Sequence, residues 1–208
     1  MILLMFSSQN FLKSASNLID DSNKESWQSL TESESSGAEN VLRAVDSMAE
    51  ALSKSIESSE KNKTIIIKKN IAIEVKKFSN EGFIFPDPAE NEPGEDDDDD
   101  IKWLTESQSR LQLDAKSLKN DTVKYVTTAV IYRDMSEILP TKRTNVTNEN
   151  SDDVESEEEK DVINSPILSL TIYPPVSEKL NPPITFTFEQ DSKNFTDPTC
   201  VFWSFQSK

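Results

Sequence analysis

The chain has 208 residues, 35% of them hydrophobic, and a formal net charge of −16. That length fits one domain of ordinary size, or one domain and part of another. There is no histidine and a single cysteine, which removes the commonest general base and transition-metal ligand, any internal disulfide framework and any Cys-rich zinc site.

The charge is concentrated. Residues 87–100 hold nine acids and no base, and residues 149–161 hold eight acids and only Lys160. Everything outside these runs is balanced, so the protein reads as a neutral body with two acidic inserts. Each insert is predicted to be a solvated, disordered loop. No basic patch offers a surface for phosphates, which argues against nucleic-acid binding. No stretch approaches the roughly 20 apolar residues that span a bilayer. The apolar start, Met1 to Phe6, is short and lacks both a basic n-region and a clear cleavage site, so it is not a convincing signal peptide.

The first sixty residues read as helices. Phe11, Leu12, Ala15, Leu18 and Ile19 fall on one face at helical spacing. Ser22 with Glu25 has the spacing of a capping box and is predicted to start a second, short helix carrying Trp27 and Leu30. Ser36 with Glu39 predicts a third start, after which Val41, Leu42, Val45, Met48, Ala49, Leu52 and Ile56 keep helical spacing for four turns. Core packing is the expected use of that stripe.

Near residue 63 the period changes to two. Thr64 to Ile67 is β-branched throughout, and Ile71, Ile73 and Val75 alternate with Ala72, Glu74 and Lys76, the pattern of a strand with one buried face. Phe83 to Phe85 is a short apolar run closed by Pro86. Beyond the first acidic insert, Leu111 and Leu113 flank Gln112. Thr122 to Tyr132 is apolar or β-branched on both faces and is expected to be a central strand. Leu168, Leu170 and Ile172, then Ile184, Phe186 and Phe188, alternate with Ser and Thr. Helices first and strands afterwards predict an α+β fold, a helical segment over 1–62 and an antiparallel β-sandwich over 63–208.

Little in this sequence carries chemistry. Five adjacent aspartates at 96–100 cannot all face one ion, and no glycine sits among them to turn a calcium loop. The three glycines, at 37, 82 and 94, are too scattered for a phosphate loop. Serines are abundant, but without histidine none has an evident activating base. The expectation is therefore no enzyme, no metal and no cofactor. Four N-x-[ST] sequons, at Asn62, Asn120, Asn145 and Asn194, are candidate N-glycosylation sites. Their number barely exceeds the about three that chance gives in a chain so rich in Asn, Ser and Thr.

The C-terminal segment Asp197-Pro-Thr-Cys-Val-Phe-Trp-Ser-Phe205 resembles the opening of a GPS motif, which ends the GAIN domain of adhesion G-protein-coupled receptors. Upstream segments resemble that domain in order: Phe11 to Leu18 with Trp27, Ile71 to Val75, Ala129 to Asp134 with Leu139-Pro140, Asn164 to Leu168, and Pro183 to Phe188. Latrophilins are the nearest kind. The resemblance implies a helical subdomain A packed on a twisted β-sandwich, subdomain B, with the GPS beginning at 197–208. It also implies an extracellular receptor part that is structural and signal-transmitting. Its partners would be the rest of the receptor (GPS strands, tethered agonist, seven-helix bundle) and an extracellular protein ligand. In the family the GPS continues with further cysteines and a His-Leu-Thr or His-Leu-Ser cut site. Here the sequence stops at Lys208 without them, so it is expected to be a truncated piece that does not cut itself. Only Cys200 and Trp203 match GPS positions. Cys200 would pair with a later cysteine in the full-length receptor and Trp203 would pack beside that bridge. In this chain alone they are expected to be a buried thiol next to a buried indole. The alternative reading is a free-standing acidic interaction module, secreted or intracellular.

Overall fold

A computed structural model describes residues 2–34, 37–88, 99–118, 123–135, 138–139, 162–195 and 197–202. Three helices come first: α1 (Ile2–Leu18), α2 (Lys24–Glu34) and α3 (Gly37–Glu57), with a 3-10 turn at Asp21–Asn23. Then come β1 (Lys63–Ile67), β2 (Ile71–Lys77), β3 (Phe83–Phe85), α4 (Asp99–Glu106), β4 (Arg110–Leu113), β5 (Val126–Tyr132), β6 (Ile167–Tyr173) and β7 (Thr185–Thr187). The strands form two antiparallel sheets, ordered β1-β2-β5-β6 and β3-β4-β7. This is the expected α+β order, a helical part followed by an antiparallel sandwich.

The layers arise from the pleat of the four-stranded sheet, because successive side chains leave a strand on opposite faces. One face (Ile66, Ile71, Ile73, Val75, Val126, Val130 and Tyr132) packs on the helices. The other contributes Ala72, Ala129 and Ile131 to a second core with Phe83, Phe85, Leu111 and Leu113 of the smaller sheet. Helix α3 supplies most of the helical side of the first core, burying Ala38, Val41, Leu42, Val45, Ala49, Leu52, Ser53 and Ile56. Its stripe is core, as its spacing predicts. Ser53 uses its single hydroxyl proton on the Ala49 carbonyl (2.9 Å). The 2.5 Å contact with Thr128 Oγ1 is then donated by Thr128, which satisfies two polar groups inside an apolar interface.

Several expectations are corrected here. On α1 the buried stripe is Ser8, Leu12, Ala15 and Ser16, continued by Ile19 just past its end, while Phe11 and Leu18 stay exposed. The apolar arc of α1 is wider than the surface offered to it. Ser22 does not start α2 but lies in the 3-10 turn before it, which Asp20 caps: the Asp20 carboxylate accepts from the Ser22 N–H (3.1 Å) and hydroxyl (2.7 Å). A charged acceptor outcompetes a hydroxyl for that place. Ser36 lies outside the described residues. Strand β2 is buried on both faces, not one, because it is interior to a sheet covered on both sides. Its Glu74 is fully buried, with Lys63 Nζ 3.4 Å away on the neighbouring strand. Helix α4 was not anticipated. It begins at Asp99 and Asp100, inside the first acidic run, where negative residues favour a helix start. Its Trp103 and Leu104 enter the second core, and the Trp103 indole N–H donates to the Lys68 carbonyl (3.1 Å). The remainder of that run at 89–98, and the whole of 149–161, lie outside the described residues.

Two glycines are required by their surroundings. Gly82 turns the chain into β3 with φ of +79°, and a Cβ there would lie 2.7 Å from the Leu113 carbonyl oxygen. Gly37 lets the Trp27 ring lie on the start of α3, where a Cβ would come within 2.6 Å of it. The Trp27 indole N–H donates to the Leu18 carbonyl (2.7 Å), so one side chain joins the ends of α1, α2 and α3.

Candidate functional site

The sandwich is sealed in its middle and less covered toward its edges, with Ile65 and Ile67 of β1 half-buried and β6 and β7 more open still. In the middle β2 and β5 face β3 and β4, and Phe83, Phe85, Leu111, Ala129 and Ile131 are sealed. At the more open side lie β6 and β7, each paired along one edge only among the described residues. Phe186 stands opposite Leu111 in the β4–β7 register and so shares its inward face. Leu111 is 0% exposed, yet Phe186 is 40% and Phe188 38% exposed. Their rings stack 6.2 Å apart. Leu168, Leu170 and Ile172 of β6 are inward too and only half-buried. The same face that makes a sealed core at β4 and β5 is thus only partly covered at β6 and β7.

A groove of about 730 Å³ runs along this edge. Its walls come from both faces of β6 (Leu170, Ile172, Tyr173), from Lys54 of α3, and from Val176 and Ile184 beyond the strand. Lys54 is held there by Glu50 one turn back (2.6 Å) and sits 5.8 Å from the centre of the Tyr173 ring. Further along, the Ser169 hydroxyl donates to Asp46 (3.1 Å). Burial raises the Asp46 carboxyl above its ordinary range, with the Ser169 bond opposing. Beneath it the Tyr132 hydroxyl is buried with no hydrogen-bond partner among the described residues. Burial, aided by the Asp46 charge, pushes that phenol well up.

One end of this edge is pinned by residues whose roles sequence reading did not assign. Asn164 clamps the chain after β7: its amide nitrogen donates to the Ser192 carbonyl (2.7 Å) and its oxygen accepts from the Ser192 N–H (2.8 Å). The Asn164 carbonyl also accepts from the Asp191 N–H (3.1 Å). Nearby, Ser109 and Glu189 tie β4 to the same stretch, through Glu189 N–H to Ser109 Oγ (2.8 Å) and Gln108 N–H to Glu189 Oε2 (3.0 Å). At the same end of the sheet, where Ile71, Tyr132 and Ile167 lie in register, Asp20 joins helices to strands. It takes Lys69 Nζ (2.5 Å) and Asn70 Nδ2 (3.2 Å). Asn70 is itself buried and donates twice to Ser16. Lys69, with Ser22 and Asn70, holds the Asp20 carboxyl well below the usual carboxylate range.

Beyond the Asn164 clamp the chain is unsheltered. Asp197 turns with φ of +53°, a conformation Asp tolerates better than most residues. Phe195 is 48%, Val201 81% and Phe202 89% exposed. Cys200 is a free, exposed thiol, not the buried one expected, because no layer of the described structure lies over it. Trp203 lies outside the described residues, as do the sequons at Asn120 and Asn145. Asn62 and Asn194 are described and exposed. Among the described residues there is no cluster of three or more His, Cys, Asp or Glu that could hold a metal ion. No helix among them is long and apolar enough to cross a membrane.

Comparison with known protein families agrees with this architecture. Residues 70–208 match the family described as GPS: GAIN subdomain B, and residues 5–53 match that described as AGRL2-4 GAIN subdomain A. No curated protein sequence matches the chain. The chain belongs to the GAIN-domain family of adhesion G-protein-coupled receptors, with a subdomain A of the latrophilin type. GAIN domains are extracellular in these receptors, and the GAIN/GPS domain is autoproteolytic in intact ones.

Proposed function

We propose that this chain is the structural, signal-transmitting part of a latrophilin-like receptor's extracellular region, and that its open sandwich side holds strands supplied by the rest of that receptor. The observation that carries the reading is the only partly covered inward face of β6 and β7. An edge strand of seven residues with only partly buried core side chains leaves both backbone groups and apolar area unsatisfied. An added strand satisfies both at once. The helical subdomain is then residues 1–62 and the sandwich 63–208, a division supported by the end of α3 at Glu57 and the start of β1 at Lys63. The working place of the domain is the outer face of the plasma membrane, where an extracellular protein ligand acts on it.

These 208 residues do not cut themselves in this reading. Amide cleavage by a hydroxyl needs an activating base, and the chain has no histidine. Cys200 pairs with a cysteine of the supplied strands, and Trp203 packs against that bridge. The exposed thiol on an unsheltered segment supports this. The test compares residues 1–208 with the same chain extended through a complete GPS, both made in a secretory host. Mass spectrometry reads cleavage and thiol state, and size-exclusion chromatography reads association. The expected result is an uncut, free-thiol, self-associating short form and a monomeric, disulfide-bonded long form. A short form that is monomeric with a sharp, high melting transition overturns the proposal.

A further inference from the structure

We propose that Asn62 carries an N-linked glycan and that this glycan keeps the free edge of β1 from pairing with other chains. Residues 62–64 read Asn-Lys-Thr, a sequon without proline. Asn62 is exposed, and its side-chain amide makes no hydrogen bond among the described residues. Its backbone is already engaged, since the Asn62 carbonyl accepts from the Lys77 N–H (2.8 Å). A glycan there displaces no contact of the fold and is anchored to an ordered strand end.

The position matters because of its neighbour. Asn62 immediately precedes β1, an outer strand of the four-stranded sheet with three consecutive isoleucines, Ile65 to Ile67. Such an edge is a template for pairing between chains, and proteins blunt it with charge or bulk. Lys63 opens this strand, and Lys61, Lys68 and Lys69 flank it closely. The other edge strand of the sheet, β6, reads ILSLTIY without a charge. The two edges of one sheet are thus treated oppositely, and the sequon falls on the guarded one. The sequon at Asn194 lies past the Asn164 clamp and adjoins exposed Phe195, so a glycan there would not reach an edge that must stay unpaired.

The reaction is glycosyl transfer from a lipid diphosphate-linked oligosaccharide in the secretory lumen. The Asn62 side-chain nitrogen forms a bond to the anomeric carbon, the bond from that carbon to the diphosphate oxygen breaks, the lipid diphosphate leaves, and one amide proton is released. No oxidation state changes. The inference rests on the family assignment only for the chain's natural access to that lumen.

The test leads the 208-residue chain into the secretory pathway of a eukaryotic cell with a cleavable signal, which makes the result independent of the receptor reading. Deglycosylation with a peptide amidase in heavy-oxygen water marks each formerly modified asparagine as a labelled aspartate. Peptide mapping is done on the whole lumenal pool, folded or not. Label at Asn62 is expected. N62Q and T64V lose that glycan, T64S keeps it, and both glycan-free variants show a larger share of dimers and higher oligomers than the glycosylated chain. Asn62 unlabelled, with or without label at Asn194, overturns the site. Glycan-free variants with an unchanged monomer share overturn the guarding role.

Discussion

The two cores of this protein share one sheet and differ in how they end. The helix-facing core is closed, with α3 lying over β2, β5 and the near edge of β6 and burying Leu52 and Val45 almost completely. The sheet-facing core is sealed at Phe83, Phe85 and Leu111 and exposed at Phe186 and Phe188. The first is built from helical and strand aliphatics together, the second largely from strand residues with Phe83 and Phe85 among them. Among the described residues the first core is complete, and the second is finished only in part. A domain that stands on one complete core while presenting half of another has a stable body and a receptive side.

The largest effect that sharpens this contrast comes from the closed core. Leu52→Asp places a charge where exposure is 2% and costs about 4 kcal/mol or more. Loss of the helical circular dichroism signal is expected, because that cost approaches a whole domain's stability of about 5–15 kcal/mol. Next comes a paired comparison within the second core. Phe85→Ala, at 0% exposure, removes about 3–5 kcal/mol. Phe188→Ala, on the open side, removes about 1 kcal/mol or less, since much of its area is already in water. Equal losses in denaturant titrations would break the distinction between sealed and open ends. Gly82→Ala strains a positive φ and drives a Cβ against the Leu113 carbonyl. It is expected to cost about 1–2 kcal/mol while leaving the helices intact.

The smallest effect concerns the joint between helices and sheet. Asp20 has its pKa lowered by folding, first by Lys69. A carboxyl whose folded pKa lies below its unfolded one stabilises the fold above the unfolded value, and that stability is lost as pH falls toward the folded value. The window therefore opens below the ordinary 3.8. The pair is near the surface, where solvent screens it, so the gain is small. Urea midpoints measured from pH 5 down to pH 2.5 should fall less steeply for Asp20→Asn than for the parent chain.

Much of the architecture was legible because it rests on period. The α3 stripe and the all-apolar run of β5 leave few alternatives. What sequence could not show was coverage. The alternation of Leu168, Leu170 and Ile172 reads the same whether or not a second sheet reaches over it. The burial of Ala72 and Glu74 on the second face of β2 is likewise a property of the stack, not of the strand. Helix α4 was hidden because its first turn belongs to an acidic run and only Ile101, Trp103 and Leu104 are apolar. Asp20 was overlooked because its partners Lys69 and Asn70 lie about fifty residues away. The sparse features Cys200 and Trp203 gained meaning from motif resemblance, and the exposure of Cys200 ran against the burial expected of it.

The central claim is that β6 is an unfilled edge. Amide hydrogen exchange on the 208-residue chain tests it most directly, residue by residue along β5 and β6. In an antiparallel edge strand alternate N–H groups point away from the sheet. Every amide of β5 should be slowed by on the order of 10³-fold or more, the factor set by a stability of about 5 kcal/mol. Alternate amides of β6 from Ile167 to Tyr173 should exchange nearly as fast as in an unfolded chain. They should become protected when the chain is extended through a complete GPS. Uniform protection of β6, equal to that of β5 in the 208-residue monomer, would contradict the account.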